Sequence, residues 1–369
     1  MTNIPNSQSL LNQTNLMFGL IIQPFNEIPA YEPEIPKVEA SEGILRCKRC
    51  NSYINIKYTI SYSGMNKLVA ICNICKCENE INASTPGVKN EYLNNDLSNV
   101  PEMNYPTVDF LAPEKFNQGI KPFKPHYIFL IDISKSSYEI GLPNYILNSI
   151  QSNIDAFHNA EETYINICFY DNKYIYFFYF EKGEIKLSIV TDISDPFCPI
   201  SIDKLFVNIS EQRSEFEKLM EKVNGFLGEK FANLEETTNR NVHISSISGA
   251  AIKAGIDALK PNGGRVMLFT SNPCQTGFGA WIPRDQINSS DNAKIKENFY
   301  LPQHETFNPL ADIANNSRTV VDQFVFMNTA YDLATMSTIS NLTGGHVFYY
   351  PPSQDQNIVN SSFEKMHYD

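Results

Sequence analysis

From residue 125 onward the chain alternates short apolar runs with amphipathic stretches, and this rhythm restricts the fold more than any other feature. "HYIFLID" is an apolar run ending in a carboxylate, a buried-strand signal. "GLPNYILNSIQSNIDAF" follows, with apolar residues at helical spacing. "TYINICFYD" and "YIYFFYF" read as strands joined across "DNK" in a hairpin, and "EIKLSIVTD" as a further strand. "SEFEKLMEKVNGFL" and "ISGAAIKAGIDAL" read as helices, and "GGRVMLFTS" as a strand behind a Gly-Gly turn. Helix "FNPLADIANNS", strand "TVVDQFVFM", helix "DLATMSTISNLTGG" and strand "HVFYYP" complete the series. Such alternation predicts an α/β fold, a mostly parallel sheet with helices on both faces and right-handed crossovers.

Ahead of this region lies a different texture. Cys47-x-x-Cys50 and Cys72-x-x-Cys75 are separated by 21 residues, room for a hairpin that brings the two pairs together. That is the arrangement of a closed, structural four-thiolate zinc site. A module this small has little core, so the metal would supply much of its folding energy. Cys77 lies close enough in sequence to replace Cys75 as a ligand. A redox dithiol would use one pair and leave the other unexplained. Cys168, Cys198 and Cys274 are scattered, a usage that fits a reducing compartment rather than a disulfide scaffold.

The net charge of −12 argues against a nucleic-acid groove. Only 44–57 is locally basic, through Arg46, Lys48, Arg49 and Lys57, enough for a small acidic peptide. The N-terminus lacks the basic-then-apolar order of a signal peptide, and "LMFGLIIQPF" is too short to span a bilayer. "IPAYEPEIPKVEA" reads as an extended linker.

The first strand ends in Asp132-x-Ser134-x-Ser136, which is similar to the first loop of the metal-ion-dependent adhesion site of von Willebrand type A domains. Ser246 offers a second-loop hydroxyl. The third loop, where a carboxylate is wanted, reads Thr270-Ser271-Asn272, and one carboxylate holds Mg²⁺ poorly. Capping of the next turn explains Asp132 and Ser134 as well. No Walker A, HExxH or Gly-x-Ser-x-Gly motif occurs, and no active site assembles.

The order of segments resembles the cargo-adaptor subunit of the COPII vesicle coat. The resemblance is carried by "GILRCKRCNSYIN…ICNICKCENEI", "PHYIFLIDIS", "IVTDISDPFCPI", "SGAAIKAGIDALKPNGGRVMLFTSNPCQTGFG" and "VVDQFVFMNTAYDLATMSTISNLTGGHVFYYP". It implies a von Willebrand type A-like trunk at 125–352 and a small zinc-ribbon-like module at 44–82. Around them it implies an extended segment 1–43, a wrapping segment 83–124 and the start of an incomplete β-sandwich at 353–369. It implies one structural Zn²⁺ on Cys47, Cys50, Cys72 and Cys75, and a non-enzymatic role. The implied partners are the GTPase-activating sister subunit, the small coat GTPase indirectly, and cargo and SNARE sorting peptides, with no nucleic acid. The implied place is cytoplasmic, in peripheral contact with the membrane at endoplasmic reticulum exit sites and on COPII vesicles. One cargo groove of the family uses an arginine just before the first zinc cysteine and a basic residue just after the second. Arg46 matches the first, with Lys48 and Arg49 nearby, whereas Asn51 departs at the second. The alternative is a von Willebrand A-like, metal-dependent adhesion module.

Overall fold

The structure, a computed structural model, describes residues 6–14, 31–40, 43–64, 67–112, 124–157, 160–235, 245–287, 298–327 and 330–350. "LMFGLIIQPF" and the expected C-terminal segment 353–369 lie outside them. The chain divides into two units, residues 1–121 and 122–369.

In the first unit, β1 (Lys37–Glu39) lies in the stretch read as a linker. Strands β2 (Thr59–Tyr62), β3 (Leu68–Ile71) and β4 (Glu78–Glu80) form an antiparallel sheet in that order. β5 (Asp109–Leu111) pairs in parallel with β1, Val38 opposite Phe110. Part of this extended segment thus has a backbone partner in the sheet. The small core gathers Leu45, Ile54, Tyr58, Ala70, Ile81 and Val100 around Cys47 and Cys72. The wrapping segment adds Tyr92, fully buried, whose hydroxyl donates to the buried carboxylate of Glu102. Lys89 neutralises the same carboxylate at 2.5 Å, which satisfies the requirement that a buried charge be paired.

The second unit is built on β6 (His126–Asp132), whose successive side chains point to opposite faces. Ile128 and Leu130 enter one core and Phe129 and Ile131 the other. All four are buried, each worth about 1.5–3 kcal/mol against exposure. β7 (Tyr164–Tyr170) pairs parallel to β6. β8 (Ile175–Glu181) and β9 (Glu184–Val190) return antiparallel, as the hairpin reading expects. A short β10 (Val207–Asn208) pairs with the start of β7. β11 (Gly264–Thr270), β12 (Thr319–Phe326) and β13 (Val347–Tyr350) extend the parallel half, giving the order β13-β12-β11-β6-β7-β8-β9. The sheet is therefore mixed α/β and mostly parallel.

Helices cover both faces. Ser248–Leu259, Phe307–Asn316 and Leu333–Thr343 pack with the Ile128/Leu130 core. Leu142–Asn153 and Arg213–Glu235 pack with the Phe129/Ile131 core. The Gly-Gly turn ahead of β11 is needed sterically. Gly263 sits at φ +76° and Gly264 at φ +143°, and a Cβ on Gly264 would lie 2.2 Å from the His126 carbonyl oxygen. Among the described residues, no helix is long and apolar enough to cross a membrane.

Candidate metal centre and binding surfaces

The two CxxC segments form matching turns. In the first, the Asn51 N–H donates to the Cys47 carbonyl (2.9 Å) and the Cys47 N–H to the Ser52 carbonyl (2.9 Å). In the second, Lys76 donates to Cys72 (3.0 Å) and Cys72 to Cys77 (3.0 Å). Asn51 and Lys76 occupy the same left-handed position, φ 56° and 60°. Asparagine tolerates that region better than most residues, but Lys76 holds the matching position, so backbone conformation does not by itself explain Asn51 where the resemblance implies a basic residue.

The turns bring Cys47, Cys50, Cys72 and Cys75 together, with all four sulfurs within 4.8 Å of one another. Across the turns, Cys47 Sγ lies 3.5 Å from Cys75 Sγ, and Cys50 Sγ 3.6 Å from Cys72 Sγ. A tetrahedral ion with Zn–S bonds of about 2.3 Å sets its sulfurs about 3.8 Å apart, so the cage fits Zn²⁺. Cys77 stands outside the cluster, its thiol turned to the Glu78 carbonyl.

Neighbouring donors favour thiolates. Burial pushes the Cys72 thiol up, but Ser52, Tyr58 and the N–H groups of Cys75 and Ile74 outweigh it and hold it down to about 5. Burial pushes Cys75 up to about 12, reinforced by the other three cysteines. Four thiolates cannot share this space without a cation, and a divalent ion reverses that logic. Asn79, buried in β4, clasps both turns. Its Oδ1 accepts from the Lys48 N–H (2.9 Å), and its Nδ2 donates to the carbonyls of Ala70 and Cys77 (3.0 Å each) and lies 3.7 Å from Cys47 Sγ.

Arg46 precedes the first turn and faces Tyr53 across an antiparallel bridge. Its guanidinium lies 4.1 Å over the Tyr53 ring and donates to the phenol oxygen, which prealigns the charge while leaving it exposed. Tyr53 stacks in turn on Phe110. Lys48 and Arg49 are exposed within the turn itself.

At the end of β6, Asp132 is buried and accepts hydrogen bonds from the Ser134 N–H (2.9 Å), the Asn272 amide (3.0 Å) and the Ser271 N–H (3.3 Å). Burial pushes its carboxyl above the usual range. Ser246 is buried, its hydroxyl donating to the Asn272 carbonyl (3.3 Å). Among the described residues, the cluster of three or more His, Cys, Asp or Glu side chains placed to share a metal is Cys47, Cys50, Cys72 and Cys75.

A groove of about 880 Å³ opens on the second unit, lined by Trp281, Arg284, Phe299, Tyr300, Tyr331 and Leu333 among others. Its surface is mostly apolar, and Phe299 and Tyr300 stand 69% and 93% exposed beside it. The Arg284 guanidinium is consumed. It pairs with buried Asp332 at 2.9 Å and donates to the carbonyls of Leu301 (2.7 Å) and Asn298 (3.0 Å). Asp332 also accepts from the Thr335 N–H, capping the helix Leu333–Thr343.

The family model for the Sec23/Sec24 trunk domain matches residues 122–367, well over half of the 369. The chain belongs to the Sec23/Sec24 family. The Sec23/Sec24 zinc finger matches residues 44–84. Protein transport protein Sec24A of Bos taurus is 28% identical over 365 residues, covering 96% of this chain and 30% of that protein. Protein transport protein sec24 of Neurospora crassa is 27% identical over 354 residues, covering 94% and 35%. The crystal structure of the human COPII-coat protein Sec24c matches with a TM-score of 0.70 at 23% identity, over 94% of this chain and 45% of that one; this likeness speaks for the fold. The chain spans about a third of the length of the Sec24 relatives.

With the Sec23/Sec24 zinc finger matched and four cysteines clustered inside it, the module is a zinc finger built for one structural zinc ion. Reading the sequence missed its supports. Ser52, Tyr58 and Asn79 carry no motif of their own, although Ser52 repeats the place of Cys77 two residues after its CxxC. The Sec23/Sec24 trunk groove was missed as well. The signal available was "GAWIPRDQ", which sets the only tryptophan of the chain beside a proline and an arginine.

Proposed function

We propose that this chain is a non-enzymatic cargo adaptor of the COPII coat in transport from the endoplasmic reticulum to the Golgi. In this reading it binds the GTPase-activating sister subunit, and through it the small coat GTPase, and contacts the membrane peripherally. Cys47, Cys50, Cys72 and Cys75 hold the zinc, and Arg46, with Lys48 and Arg49, engages acidic sorting signals of cargo and SNARE tails. The observation that carries the reading is the pairing of a Sec23/Sec24 zinc finger with a Sec23/Sec24 trunk in one chain, in that order. The geometry supports it twice. A guanidinium is prealigned on Tyr53 beside a rigid metal cage. An aromatic groove of peptide size lies on the trunk with its arginine already neutralised, which suits apolar side chains of a signal. The Asp132 hydrogen bonds, which leave no carboxylate free for a cation, weigh against the adhesion-module alternative.

The test is titration of a fluorescent cytosolic-tail peptide carrying a hydrophobic-acidic signal. Removing a charge-assisted pair costs about 1.5–3 kcal/mol, so Arg46→Ala is expected to weaken binding roughly tenfold or more. Ser337→Trp, which fills the groove, is expected to weaken apolar signals instead. Equal binding by wild type and both variants overturns the site assignment.

A further inference from the structure

The von Willebrand A-type fold would place a divalent cation beside Asp132, and the residues present do not fit one. Asn272 Nδ2 lies 3.0 Å from Asp132 Oδ2, 2.5 Å from Ser134 Oγ and 3.2 Å from Ser271 Oγ. Its Oδ1 accepts from Ser136 Oγ at 2.7 Å. Because a carboxylate only accepts, the amide nitrogen must be the end that faces Asp132. Three oxygens therefore converge on a donor nitrogen at hydrogen-bond lengths, not on the 2.0–2.1 Å shell that Mg²⁺ demands. The Asn272 backbone is pinned too. Its carbonyl accepts from Ser246 Oγ (3.3 Å) and Thr270 Oγ1 (3.1 Å). Asp132, Ser246, Asn272 and Thr270 are all buried.

We propose that Asn272 is a built-in substitute for the cation, its amide holding the loops after β6 and β11 together where a metal would otherwise do so. The "DISKSS" loop is thereby fixed in one shape, and trunk packing is independent of divalent ions. Wild type is indifferent to Mg²⁺ and Mn²⁺. Asn272→Asp places a second carboxylate against Asp132 and makes the site depend on a cation.

The experiment follows the intrinsic fluorescence of Trp281, which reports on the trunk alone as the chain's only tryptophan. Melting is recorded in divalent-free buffer without chelator, then with added Mg²⁺ or Mn²⁺, neither of which competes with Zn²⁺ for thiolates. Free Mn²⁺ is read in parallel by electron paramagnetic resonance. Wild type is expected to show no Tm shift and no Mn²⁺ uptake. Asn272→Asp is expected to melt about 5 °C or more below wild type without cation, and to recover as Mn²⁺ is taken up. The exchanged pair Asp132→Asn with Asn272→Asp restores one carboxylate and one amide, and is expected to regain most of the wild-type Tm without any cation. Mn²⁺ uptake by wild type that Asp132→Ala abolishes overturns the proposal. So does an Asn272→Asp variant with wild-type Tm, or an exchanged pair that fails to fold.

Discussion

Replacing Asn79 tests how the zinc finger is supported, because this one side chain touches both cysteine turns. Asn79→Ala removes the acceptor of the Lys48 N–H and the donors to the Ala70 and Cys77 carbonyls, at a side chain only 5% exposed. A buried polar group left without its partner costs about 1–3 kcal/mol. The cage forms only when folded, so this loss appears as zinc affinity, and outer partners of metal ligands are typically worth about 10–100-fold. Tenfold corresponds to about 1.4 kcal/mol, so the two routes agree. Competition with a chromophoric chelator is therefore expected to show an affinity 10-fold to 100-fold weaker, again on the order given for such partners. Asn79→Asp keeps an acceptor for Lys48 but loses both donors and turns a negative charge toward Cys47, so it is expected to be worse than alanine. Affinity within about twofold of wild type for Asn79→Ala, against that expected range, would refute the reasoning. An aspartate tolerated better than alanine would also do so.

Cys75→Ser is expected to lose the zinc, whereas Cys77→Ser retains one equivalent; metal analysis of the purified chains distinguishes them. Asp332→Ala removes the carboxylate that neutralises the Arg284 guanidinium and uncaps a helix, so trunk stability in denaturant should fall by about 3–5 kcal/mol. A loss under 1 kcal/mol, the scale of an exposed pair, would contradict that burial argument. Burial pushes His126 below its usual 6.5, while its Nδ1–H donates to the Lys124 carbonyl as the neutral ring. The unfolded chain therefore takes up the proton first. The contribution is full above the unfolded value and is lost as pH falls through 6.5 toward the lower folded value. Melting followed at Trp281 across this window should show that decline, flattened in His126→Gln; an unchanged slope in the variant would exclude His126 as its source.

Much of the trunk was legible because its strands are buried on both faces and read as continuous apolar runs, as in "HYIFLID" and "TVVDQFVFM". The helix Leu333–Thr343 announced its end through Gly344, which takes φ +75°. The pairing of β1 with β5 was not legible, because three-residue strands separated by some seventy residues leave no periodicity to read. The four cysteines could be picked out because metal spacing is local. Asn79 could not, since its importance lies in partners far along the chain, and Asn272 stood out only as part of a third loop lacking a carboxylate, not as an amide that binds Asp132. Asn272 reaches Asp132 across 140 positions, and a sequence gives no sign that an amide has taken the place of an ion. The groove escaped notice for the same reason, as Trp281 and Arg284 meet Tyr331 and Leu333 only after β12 has been laid into the sheet.

The central claim, that this chain works as a coat subunit, is most directly tested by association with the GTPase-activating sister subunit. Purified chain and sister subunit are mixed at micromolar concentrations and examined by sedimentation velocity. The account predicts a single faster-sedimenting complex containing both. Independent sedimentation of the two proteins, with the chain folded and zinc-loaded, would contradict it.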